Sequence, residues 1–268
     1  MISLSKASVE GVANKTRLLF RMVERDLRSR YVGSLIGIFW TVIHPLFLLL
    51  IFTFIFAVVF QAKFSGQASV SYSALYILCG LIPWLGFQEG VARSVGYLVE
   101  QRNLLTRVKF PVAVLPPVPV LSGFFAQMVG FFALLLWAGI KGRLGSWSLV
   151  LLPFWMMLQL GLGLGLAYLL AVLGVWLRDL IQLVPVLLLV WMYGTPVFYP
   201  ARMVPEKFQI IIRLNPMAHL IEGYRRLILE ARFPEFSSAI YLIVFAVLLS
   251  ALGLWVFSRL KKGIADRV

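Results

Sequence analysis

The sequence predicts an all-α integral membrane protein with six transmembrane helices, an amphipathic N-terminal segment, and short re-entrant outer helices before the last span. Three observations carry this. Of 268 residues, 61% are hydrophobic and only 13% charged, too little polar surface for a soluble domain. Apolar runs of about 20 or more residues recur, each long enough to cross roughly 30 Å of hydrocarbon. The basic residues behind the net charge of +14 cluster beside those runs, as in loops facing anionic lipid. That distribution sets aside a nucleic-acid partner.

Taken in order, residues 1–36 form a first unit. Lys6, Lys15, Arg17, Arg21, Arg25, Arg28 and Arg30 alternate with Leu18, Leu19, Met22, Val23 and Leu27, which fall on one helical face. The pattern is that of a helix lying on a membrane surface. Two readings of Arg25, Asp26 and Arg30 stand side by side: contact with a cytoplasmic partner, or binding of lipid headgroups alone. The apolar run that follows is too long for a signal-peptide core, so no cleavage is expected.

Residues 37–268 form a second unit, with spans expected near 37–60, 73–98, 112–138, 149–176, 180–200 and 238–258. Between the second and third lies a polar interlude, 100–111. It mixes Arg102, Asn103, Thr106, Arg107 and Lys109 with Leu104, Leu105, Val108 and Phe110, so its greasy face is suited to docking as well as turning the chain. The N-terminus, this interlude, the Arg178-Asp179 turn and the tail with Arg259, Lys261, Lys262 and Arg267 are richer in Lys and Arg than the opposite loops. Both termini and the interlude are therefore expected in the cytoplasm. The segment 195–237 carries apolar patches too short to span, read as one or two re-entrant or interfacial helices on the outer side. They either gate that side or cap the last two spans.

Pro45, Pro83, Pro116, Pro117, Pro119, Pro185 and Pro196 interrupt the spans and can kink them. Gly33 and Gly37, and Gly161 and Gly165, have the four-residue spacing of close helix packing. The run Gly161–Gly165 lies inside an apolar span, which separates it from a nucleotide-binding turn. Cys79 lies in an apolar run and reads as a small core residue.

The chemistry of an enzyme is missing from the sequence. No phosphate-binding G-x-x-x-x-G-K-[ST] loop, H-E-x-x-H or C-x-x-C occurs, and no metal-ligand set is expected. His44 and His219 have no neighbouring carboxylate and are assigned to packing or hydrogen bonding. Glu89 and Arg93, one helical turn apart, are read as a structural pair, with an ion relay as the alternative. Phe52, Phe56, Trp84, Phe87, Tyr193 and Tyr199 recur on helical faces. Such rings make platforms for sugars, or equally an interfacial belt and ordinary packing.

Several strings taken together resemble the membrane permeases of type-two ABC exporters that move lipid-linked polysaccharides such as O antigens, capsules and teichoic acids. They are Arg30-Tyr31-Val32-Gly33-Ser34-Leu35-Ile36-Gly37-Ile38-Phe39-Trp40, Gly80-Leu81-Ile82-Pro83-Trp84, Leu104 to Pro111, Arg178-Asp179, Thr195-Pro196-Val197-Phe198-Tyr199-Pro200 and Leu214-Asn215-Pro216-Met217. His44 before Pro45 departs from the family, where Asn is more usual. The resemblance implies that Arg102 to Phe110 form a coupling helix and that Arg25, Asp26, Arg30 and Tyr31 belong to an interface helix. It makes the aromatic faces a channel lining, with Pro196, Phe198, Asn215, Pro216 and Tyr224 in an outer gate. It further implies a homodimer in the cytoplasmic (inner) membrane with two separate ATP-binding subunits, where ATP and Mg would act, and no cofactor in this chain. Export of a drug or small lipid is the alternative, and an ion-coupled carrier the more distant one.

Overall fold

A computed structural model describes residues 2–29, 70–107, 110–140 and 147–264, with positions 39, 40, 43, 46, 47, 50, 51, 54 and 55 between them. The expected first span with Phe52 and Phe56 therefore falls largely outside the described residues, as do Arg30, Tyr31, Val108 and Lys109. Nine α-helices are described: α1 (Ile2–Ser29), α2 (Val70–Glu100), α3 (Arg102–Arg107), α4 (Pro117–Ile140), α5 (Leu152–Trp176), α6 (Leu180–Tyr193), α7 (Gln209–Leu214), α8 (Pro216–Ile228) and α9 (Phe236–Leu260). Short 3-10 turns extend several of them, and no strand occurs among the described residues. Among the described residues, four segments are long and apolar enough to cross a membrane: Tyr72–Glu100, Val112–Ile140, Trp147–Trp176 and Phe236–Leu260.

Helix α2 is the centre of the bundle. Its first half, through Phe87, carries no charged residue and is apolar on nearly every side, and such a stretch is stable only when neighbours cover it. Here α4, α5, α6 and α8 pack against it, and Leu75, Ile77, Cys79, Leu81, Trp84, Val95 and Leu98 are buried. Close approach to α4 depends on missing side chains. A Cβ on Gly123 would stand 2.8 Å from the Gly86 carbonyl, and one on Gly90 2.7 Å from Val120 Cα. On α5, Gly161 and Gly165 both face α9, but only Gly165 needs its missing side chain: a Cβ there would meet Ser250 N at 2.8 Å, and one on Gly161 only Ala246 Cβ at 3.6 Å.

The fifth expected span, 180–200, is helical only over α6. Helix α6 has 14 residues, about 21 Å at 1.5 Å per residue, short of the roughly 30 Å of hydrocarbon. It stops because Pro196 has no N–H to donate and biases Thr195 away from helical geometry. The chain turns there instead, with Gly194 and Thr195 donating to the Val190 and Met192 carbonyls.

The segment 195–237 then folds with two short helices, α7 and α8, in keeping with the one or two its patches predict. Asn215 starts α8: its side-chain oxygen accepts from Met217 N at 3.0 Å, and Pro216 occupies the first turn, where its missing N–H costs nothing.

Apolar side chains gather in two clusters. The larger surrounds α2 and takes in Trp155, Phe131, Phe198, Met217, Ile221 and Tyr224. The smaller sits at the end where α2 runs out, joining Met22 and Val23 of α1 to Tyr97, Leu98, Leu115, Val118, Val175 and Phe257. Within the larger cluster, Gln127 of α4 and Gln159 of α5 exchange bonds of 3.1 and 2.6 Å. Gln159 also donates to the Pro83 carbonyl at 3.0 Å and accepts from the Tyr224 hydroxyl at 2.7 Å. The two amides and the phenol thus find partners in one another and in the backbone, as burial of polar groups requires.

Candidate coupling end and outer segment

At one end of the bundle, α1 lies across the base of α4 and α2 stops at Glu100. Gln101 makes the break. Its N–H still donates to Tyr97 O, while its carbonyl accepts from Leu104 N and Leu105 N and so starts α3. The two faces of α3 separate cleanly. Leu104, Leu105 and the following Phe110 pack against the smaller cluster, whereas Arg102 and Asn103 are exposed. The greasy face suited to a partner is thus used inside the chain, and the tip it leaves outward is polar. Thr106 and Arg107 complete the helix.

Two polar links tie α1 to this end. Arg25 Nη2 donates to Gln101 Oε1 at 2.7 Å. Arg93 of α2 grips Asp26 with both guanidinium nitrogens, Nη1 to Oδ2 at 2.9 Å and Nη2 to Oδ1 at 2.7 Å. The Asp26 side chain is only 4% exposed, so this carboxylate faces the chain's own bundle and is closed to a partner or headgroup. The reason is physical, because a carboxylate covered by an apolar face must carry its counter-charge with it. This gives Arg93 a partner on another helix, which the intrahelical Glu89–Arg93 reading did not include.

The aromatic residues divide by burial. Trp84 and Phe87 are 0% and 3% exposed. With Trp191 they form a three-ring cluster whose centroids lie 5.6 to 5.9 Å apart. Among the described residues these rings pack on one another. Tyr193, by contrast, is exposed, and Tyr199 is half-buried with its hydroxyl donating to Tyr193 O at 2.9 Å.

One of the expected gate residues, Asn215, joins several parts of this segment. Besides capping α8, Asn215 Oδ1 accepts from Trp191 Nε1 at 2.9 Å, and its Nδ2 donates to Thr195 Oγ1 at 2.8 Å. One side chain thereby joins the end of α6, the turn through Pro196 and Phe198, and the start of α8. Phe198 and Tyr224 are buried, and Trp155 Nε1 holds α8 again through the Leu220 carbonyl at 2.7 Å.

Arg225, which sequence reading placed only among the loop cations, is the major residue missed. It is 1% exposed. Its guanidinium lies 3.7 Å from the centre of the Tyr76 ring, and its Nη2 donates to Val197 O at 2.7 Å. Gly80 gives it room, since a Cβ there would stand 3.1 Å from Nη2. A regular hydrophobic period in α8 was the available signal: Leu220, Ile221, Tyr224, Leu227 and Ile228 place Arg225 beside the buried stripe.

Among the described residues no three His, Cys, Asp or Glu are grouped to hold a metal ion. Residues 17–229 match the family model described as ABC-2 type transporter. The chain is 29% identical over 253 residues to the O-antigen export system permease protein RfbA of Myxococcus xanthus, covering 94% of this chain and 95% of that protein. It is 23% identical to the polysialic acid transport protein KpsM of Escherichia coli, covering 89% of this chain and 92% of the relative. It is also 23% identical to the capsule polysaccharide export inner-membrane protein CtrC of Neisseria meningitidis, over 98% and 99%. The family match runs from the second half of α1, through the α3 break, to the Asn215 cap and α8; this chain belongs to the ABC-2 type transporter family.

Proposed function

We propose that this chain is the membrane permease of an ATP-driven exporter that moves a lipid-linked polysaccharide across the cytoplasmic (inner) membrane. The observation that carries the reading is likeness over nearly the whole length to an O-antigen export permease, 94% of this chain and 95% of the relative. Six transmembrane spans remain the proposed plan, with the first near 37–60. Both termini and α3 face the cytoplasm, which the bias of Lys and Arg toward that end supports.

The chain has no phosphate-binding loop, so ATP and Mg belong to a separate subunit, two of which serve a homodimer of this permease. Arg102 and Asn103, exposed at the tip of α3, meet that subunit, together with Arg107 and Lys109. Leu104, Leu105 and Phe110 fix the tip to the bundle. Force applied there reaches α1 and α2 together, because Asp26 and Arg93 bind one to the other. On the outer side, Tyr193 and Tyr199 meet the passing glycan, and the segment around Pro196, Phe198, Asn215, Pro216 and Tyr224 forms the gate.

Reconstitution tests the proposal. Vesicles holding this permease and its ATPase subunit should translocate a labelled lipid-linked glycan on addition of ATP and continue in the presence of an ionophore. Absence of transport with any glycan sinks the reading.

A further inference from the structure

Between the turn at Pro196, α7, α8 and the start of α9 opens a cavity of about 320 Å³, at the small end of the range for small-molecule sites. Its walls carry two guanidiniums, Arg213 and Arg226, and two carboxylates, Glu222 and Glu235. Opposite charges therefore balance within the site. Firm contacts hold the walls in place. Arg226 Nη2 donates to Glu235 Oε1 at 2.6 Å. His219 lies between Ser238 Oγ at 2.9 Å and the Arg213 carbonyl at 2.8 Å, and its ring sits tilted against Tyr241 with centroids 4.8 Å apart. A carbonyl can only accept, so Nε2 carries a proton and donates to it.

Glu222 is held more loosely. Its oxygens stand 3.8 Å from Arg226 Nε and 3.9 Å from Arg225 Nη1, beyond hydrogen-bond distance, and its side chain is 38% exposed. That leaves strong acceptor capacity directed at the cavity. Pro196, Ile212 and Ala218 supply apolar wall between these polar groups.

We infer that this cavity binds one uncharged sugar residue of the emerging glycan. Its chemistry selects that class. Hydroxyl groups both donate and accept, so they can use carboxylates and guanidiniums in one site, while the C–H face of a pyranose ring rests on Pro196 and Ile212. A phosphate or acidic sugar meets Glu222 and Glu235, and a cationic ligand meets Arg213 and Arg226; each gains one pair of contacts and suffers repulsion from the other. The inference rests on the polysaccharide-export reading, which places this end of the bundle outside the cytoplasm. A site there holds the chain that has already crossed and opposes its return between strokes.

The test uses the permease and its ATPase subunit together in lipid nanodiscs. The probe is a short neutral oligosaccharide cut from the producing cell's own surface glycan, with a carboxylated oligosaccharide of equal length beside it. Saturation-transfer NMR should detect the neutral probe and favour it over the acidic one. Glu222→Gln should weaken binding by about tenfold, the usual scale for a hydrogen bond to a charged group, and Ile212→Trp, which fills the cavity, should remove it. Co-purification with the ATPase subunit and thermal unfolding report that each variant is folded. Equal binding of the two probes, or no binding by wild-type complex that does export glycan, overturns this inference alone. Failure of the wild-type complex to export any glycan overturns the underlying reading as well.

Discussion

Replacing Asp26 by Asn removes one charge from a pair buried between α1 and α2. Stripping one partner from a fully buried pair costs about 3 to 5 kcal/mol. The Arg93 side chain is still 32% exposed and can recover water, so a loss of about 2 kcal/mol is expected in thermal unfolding. A double variant exchanging the charges, Asp26→Arg with Arg93→Asp, should recover part of that loss, because the pair would again meet face to face. If the exchanged pair is no better than the sum of its single variants, the link is not an energetic one. Residues of this kind were the hardest to read. Asp26 and Arg93 are 67 positions apart, and spacing within one helix offered Glu89 as the nearer partner. Arg225 shows the same limit, since its partners Tyr76 and Val197 lie on other elements.

Helices set a second group of expectations. In α3, the exposed tip and the packed face should respond differently. Arg102→Glu with Asn103→Asp should leave the fold intact and lower ATP-dependent export at least tenfold. Leu104→Ala should instead destabilise the end cluster by about 1 to 2 kcal/mol, below the range for a fully buried leucine because this one is half-buried. Parallel export and unfolding assays separate the two effects. In the outer segment, Asn215→Ala removes a helix cap, about 1 kcal/mol, and also strands the Trp191 N–H, a further cost of about 1 to 3 kcal/mol. Asn215→Asp keeps both acceptor roles and should lose less.

The anchors on α8 bear on which part of this segment moves. Asn215, Leu220, Tyr224 and Arg225 all tie it to the bundle, while Phe208, Ile210, Ile211 and Leu214 around α7 are exposed. Moving elements are drawn from the least stable parts of a fold. Hydrogen exchange in nanodiscs should therefore find α8 among the slowest amides and α7 among the fastest helical ones. The existence of both short helices was legible in the alternation of apolar patches with Asn215-Pro216. Their unequal anchoring was not, because it depends on groups contributed by α2, α5 and α6.

At the scale of the whole molecule, α4, α6 and α9 turn a broad apolar surface outward, including Phe132, Leu136, Val190, Leu248 and Trp255. In a membrane protein such surface meets lipid tails or another subunit without the penalty it would carry in water. Light scattering on the purified complex should give two permeases with two ATPase subunits, and a single permease copy would count against the homodimer.

Composition and the length of the apolar runs determined by themselves that this is a helical membrane protein, because lipid imposes the same local demand on every segment that crosses it. The order of short strings determined its likeness to polysaccharide permeases, and Gly194-Thr195-Pro196 already contained the reason for α6 to stop. Only the tertiary structure decided which polar groups share the dry interior: Asp26 with Arg93, Gln127 with Gln159, and Asn215 with Trp191 and Thr195. Those pairings depend on how helices rotate and slide against one another until buried donors and acceptors are satisfied. That condition acts across the whole bundle, and no local period encodes it.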